Sequence, residues 1–112
     1  MPDTFETALR MMRRHDPHTQ EEGFQLLLAE VEDHVKELIA EFERATQDIG
    51  LRRWLLELLG EAAAPEALPV FAAQLDSHDE ALRSWALRGL ERLDTREART
   101  VLWRARANGT IT

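Results

Sequence analysis

The chain has 112 residues, a formal net charge of −7 and no cysteine. That length suits one domain burying about two-thirds of its unfolded surface, and the missing thiols exclude disulfides, thiolate zinc sites and a cysteine nucleophile. Residues 1–50 hold 12 acids and 5 bases, while residues 51–112 hold 9 of each, so phosphate backbones are repelled and a basic protein partner is favoured. The N-terminal stretch lacks the basic-then-apolar layout of a signal peptide. No apolar run approaches the roughly 20 residues that span a bilayer. The expectation is a soluble, cytoplasmic protein that binds neither nucleic acid nor membrane.

The first predicted helix runs from Asp3 to Arg14, with Phe5, Ala8, Leu9 and Met12 on one face. Pro17 breaks it. A second helix starts at about His18 or Thr19 and reaches Val31, burying Phe24, Leu27, Leu28 and Val31, and Glu32-Asp33 opens a corner. A third extends to about Ala45 through Val35, Leu38, Ile39 and Phe42. Asp48 is placed as N-cap of a fourth, Ile49 to Ala62, buried at Leu51, Leu55, Leu58, Leu59 and Ala62. The fifth covers Glu66 to Leu75, with Pro69 tolerated in its first turn. Asp79 caps a sixth, Glu80 to Leu93, in which Gly89 stands mid-helix at a cost of up to about 1 kcal/mol. That position implies a close approach by a neighbouring helix. A seventh spans Thr95 to Ala107. No stretch alternates with period two, so the chain reads as all-α with about seven antiparallel helices.

One segment is written twice. Asp48-Ile49-Gly50-Leu51-Arg52-Arg53-Trp54-Leu55-Leu56-Glu57-Leu58-Leu59 returns 31 residues later as Asp79-Glu80-Ala81-Leu82-Arg83-Ser84-Trp85-Ala86-Leu87-Arg88-Gly89-Leu90. Glu66-Ala67 returns as Glu97-Ala98, and Val70 as Val101. A fixed period of this size marks a stacked-repeat protein, in which each helix pair has an apolar face only its neighbours can cover. Asp48 and Asp79 therefore read as repeated caps. Arg52 and Arg83, four residues on, are expected to reach their own or a neighbour's aspartate.

Leu75 to Leu90, with the Pro65-Glu66-Ala67-Leu68-Pro69 opening of the fifth helix, resembles the HEAT-repeat family. Arg96-Glu97-Ala98-Arg99-Thr100 matches that opening without its prolines. The resemblance implies a single HEAT-like domain, a short right-handed α-α superhelix, in which residues 1–47 cap residues 48–107. It implies a scaffold or binding module, and for a minority of the family a bilin lyase or a DNA glycosylase.

Trp54 and Trp85 hold the same place in successive units and fall at the edge of the apolar face. They either pack between helices or form, with Arg53, Glu57, Ser84 and Arg88, a contact ridge of the kind partner surfaces favour. Glu30, Asp33, Glu37 and Glu41 recur at helical spacing as either a solvated face or an electrostatic dock. His15, His18, His34 and His78 share no helix face at a metal-ligand spacing, so no metal and no cofactor is expected. Trp103 is expected to cover the open end of the stack or, as the alternative, to join two subunits. No phosphate loop, nucleophile elbow or metalloprotease motif is present. The reading is a non-catalytic interaction module, monomeric or weakly dimeric, of inhibitor, immunity or scaffold type. An enzyme of the glycosylase or bilin lyase kind is the alternative.

Overall fold

The structure is a computed structural model that describes residues 3–111; the first two residues of the stretch read against a signal peptide lie outside it. Seven α-helices follow one another: α1 (Thr4–Met12), α2 (Pro17–Ala29), α3 (Val35–Arg44), α4 (Ile49–Ala62), α5 (Leu68–Gln74), α6 (Glu80–Leu93) and α7 (Arg96–Ala107). Single 3-10 turns at Val31–Asp33 and Pro65–Ala67 lead into α3 and α5. No strand occurs among the described residues.

Side-chain caps set most of the boundaries. Asp3, Asp16, Asp48, Asp79 and Thr95 each accept a hydrogen bond from a backbone N–H of the first turn they precede. Each satisfies a donor that the helix cannot. Pro17, read as a breaker, is also the first residue of α2, because its fixed φ suits that position and Asp16 supplies the cap. The two prolines at 65 and 69 shorten the fifth helix by resolving its predicted start into the 3-10 turn. At the other ends, Ala63 and Asp94 stand one period apart, and both close their helices in left-handed conformation, at φ 50° and 46°.

The helices pair as α1 with α2, α3 with α4 and α5 with α6, and α2, α4 and α6 then line up in one row, with α7 against α6. The stack is 48 Å long and 26 by 20 Å across. One continuous core runs through it, from Phe5, Leu9 and Met12 to Leu90, Leu102 and Ala105. The central helix α4 is flanked on both sides. It therefore buries Leu56 as well as Leu51, Leu55, Leu58 and Leu59, an apolar circumference wider than a single stripe.

Glycine makes two of the close approaches. A Cβ on Gly23 would come 2.5 Å from the carbonyl oxygen of Ala8, so α1 and α2 touch backbone to backbone. A Cβ on Gly89 would lie 2.5–2.7 Å from three atoms of the Phe71 ring, which fills the space that the missing side chain leaves. The mid-helix cost of Gly89 is offset by that buried ring.

Candidate functional site

Between α4 and α6 runs an open groove of about 460 Å³, lined by Glu57, Gly60 and Glu61 from one helix and Trp85, Arg88 and Arg92 from the other. Gly60 and Gly89 face each other at its floor, where a Cβ on Gly60 would lie 3.9 Å from the Gly89 Cα. The walls are charged in register. Glu57 and Arg88 are one period apart, as are Glu61 and Arg92, and the Arg92 guanidinium lies 3.5 Å from both oxygens of Glu61. Arg88 also sits over the Trp85 indole, 5.2 Å from the ring centroid, within cation–π range. Partial burial, with the Glu61 charge close by, holds the Glu57 pKa above the ordinary carboxylate value, against the pull of Arg88. The groove thus joins an aromatic face, two guanidinium groups and a partly desolvated acid.

Trp54 takes no part in it. Its ring packs on Phe24 of α2, with centroids 4.6 Å apart and planes at 54°, closing the seam between α2 and α4. Of the two alternatives for the repeated tryptophans, Trp54 follows the packed one, its indole set on a phenylalanine, and only Trp85 faces the groove. Arg53 is likewise spoken for. It forks onto Asp79, Nε to Oδ2 at 3.1 Å and Nη2 to Oδ1, tying α4 to the cap of α6. That fork and the Leu82 N–H draw the Asp79 pKa from 3.8 to about 2.

The repeated arginines also differ from expectation. Arg52 donates to the Phe42 carbonyl at 2.8 Å and stacks 3.9 Å from that ring's centroid, while Arg83 donates to the Ser77 carbonyl at 2.7 Å. Each serves a carbonyl of the preceding segment instead of bonding to the capping aspartate. Asp48 and Asp79 keep the predicted capping role, accepting from Leu51 and Leu82.

The acidic run divides. Glu30, Glu32, Asp33 and Glu37 stay exposed around the corner before α3. His34 lies between two of them, 3.0 Å from Glu37 and 3.6 Å from Glu30, with its ring centroid 5.3 Å from that of Phe5. Hydrogen bonding to Glu37 raises the His34 pKa above 6.5 despite its burial. Glu41 leaves the field altogether. It is 5% exposed and held by Arg13 at 2.7 Å and Arg44 at 3.3 Å. On α3 the step of four residues from Glu37 to Glu41 advances about 40° past a full turn, which carries Glu41 towards the buried face. Trp103 does not cover the end of the stack: it is 69% exposed. No group of three or more His, Asp or Glu among the described residues is placed to hold a metal ion.

The groove's charge ladder was not anticipated, although its signal was in the sequence. In a stacked repeat, residues one period apart become neighbours, and positions 57 and 88, like 61 and 92, pair acid with base.

Paired helices in a shared row, repeated caps and a solvent-open groove between neighbouring units define a helical-repeat protein. The family model described as HEAT repeats matches residues 35–110. The chain belongs to the HEAT-repeat family. The match takes in α3 together with its partner α4. No curated protein and no solved structure is matched by the chain. No helix among the described residues is long and apolar enough to cross a membrane.

Proposed function

We propose that this chain is a non-catalytic cytoplasmic module that binds a basic protein, as an inhibitor, immunity-type or scaffold protein, through the groove between α4 and α6. The carrying observation is Trp85 with Arg88 over its face, set beside the partly desolvated Glu57. An indole gives a partner broad apolar contact area. A carboxylate already stripped of part of its water gains from an incoming lysine or arginine. Glu61 and Arg92 answer one another across the helices and Arg88 lies over Trp85, an arrangement of paired charges and aromatic surface that favours docking over catalysis. The exposed acids at Glu30, Asp33 and Glu37, within a chain of net charge −7, add a field that speeds encounter with a basic partner.

The test is affinity capture from the native host with wild type and the double variant Trp85→Ala/Glu57→Lys. The captured protein should be basic and should be lost from the variant, whose circular dichroism stays helical. Equal capture by a folded variant would refute the groove.

A further inference from the structure

We infer that the two ends of the helical stack are complementary, and that the exposed Trp103 stripe of α7 seats in the α1–α2 groove of a second copy, joining chains head to tail. The groove holds about 630 Å³ and is floored by Met11 of α1 with Gln25, Leu26 and Ala29 of α2; Glu21 and Glu22 form its α2 rim, Glu22 2.8 Å from His18. Leu26 is 43% exposed there. This face lies away from α4: Phe24, which meets Trp54, is two residues from Leu26 and so roughly 200° round the helix. Nothing among the described residues covers it.

At the other end α7 buries Ala98, Leu102 and Ala105 and turns Trp103 outward, 69% exposed. Arg96, Arg99 and Arg106 share its outer face at spacings of seven, four and three residues. Arg99 bonds to Asp94 at 2.9 Å yet remains 61% exposed. The helix carries four arginines against Glu97, a net charge of +3 (4 − 1). The receiving helix carries Glu21 and Glu22 and no Lys or Arg, a net charge of −2. A tryptophan flanked by arginines thus faces an apolar trough with an acidic rim, and this match of sign and shape selects a second copy as occupant.

A chain cannot satisfy itself. The packing order places α1 and α2 at one end and α7 at the other of a stack 48 Å long. The contact joins two unlike surfaces, so each added copy leaves one free groove and one free stripe. With the two surfaces at opposite ends of the stack, two copies do not close on one another, so the association grows beyond two, as a filament or a larger ring.

Sedimentation velocity across a concentration series tests this. The mean mass of wild type should rise with concentration past that of two chains, and should fall when salt shortens the Debye length to about 3 Å at 1 M. Trp103→Ala and Leu26→Arg, both surface changes, should each weaken association at least about tenfold, as loss of an aromatic anchor does. An equimolar mixture of the two variants is decisive: one keeps its groove and the other its stripe, so pairs should form and nothing larger. A wild type that stays at the mass of one chain, one that stops at two, or a mixture that yields no pairs would each overturn the proposal. Both variants leave the groove between α4 and α6 intact and should still capture its basic partner, so failure here and failure there are separable.

Discussion

Trp54 and Trp85 occupy one position in two successive units, yet the seams they face have opposite characters. The seam between α2 and α4 is closed by ring packing, Phe24 against Trp54. The seam between α4 and α6 is packed glycine to glycine beneath, but its rim is an open groove with Trp85 under Arg88 and beside Glu57. The difference comes from the preceding helix, which offers a phenylalanine in one case and an acid with glycine in the other. A repeated residue inherits its position from the period and its task from its neighbour.

The largest expected effect breaks this comparison directly. Trp54→Ala should lower stability by about 3 kcal/mol, the low end for truncating a packed tryptophan. Trp85→Ala, removing a ring that lines an open groove, should cost about 1 kcal/mol. Urea denaturation of both variants gives the difference, and equal losses would show that the second ring is as tightly held as the first.

The glycines sharpen it further. Gly89→Ala drives a methyl into the Phe71 ring, which is fully buried and cannot yield. Overpacking of that kind costs roughly 1–3 kcal/mol, more than the gain in helix propensity. Gly60→Ala meets only ordinary contact at 3.9 Å and should stabilise by up to about 1 kcal/mol. One substitution on two facing glycines should therefore give opposite signs in thermal melts.

The smallest effect is read by pH. Asp79 caps α6 and also receives Arg53 from α4, and its folded pKa of about 2 lies below the ordinary 3.8. A depressed folded pKa means stability that is fully present above 3.8 and lost as pH falls towards 2. Asp79→Asn keeps a capping oxygen but abolishes the ion pair. Its loss near neutral pH should be below about 1 kcal/mol, as for exposed pairs, and should vanish as pH approaches 2. A constant gap between variant and wild type across that window would mean that the fork adds nothing.

Most of the fold was legible because helix-forming information is local. Asp48 and Asp79 announced α4 and α6 through capping chemistry, and the boundaries predicted for those helices, Ile49–Ala62 and Glu80–Leu93, are the observed ones. Gly89 announced a close approach without naming Phe71 as the group that makes it. The site was harder to read, since it depends on which face of one helix meets which face of the next. Leu56 escaped notice because single-stripe periodicity assumes one buried side, and α4 has two. Glu41 was placed outside because i, i+4 spacing conceals a rotation of about 40° per step. Arg52 was assigned to an aspartate because the carbonyl it serves, that of Phe42, lies across a turn whose geometry no local pattern reveals.

The acid-to-base alternation from α4 to α6 also makes the units non-interchangeable. Were the segment containing α5 and α6 copied in tandem, Arg88 and Arg92 would meet their own duplicates, cation against cation, at the spacing where Glu57 and Glu61 now sit. Copying α3 and α4 would set carboxylate on carboxylate. Lengthening this rod by simple duplication is thus self-penalising, and any natural or designed extension has to rewrite those two rungs first.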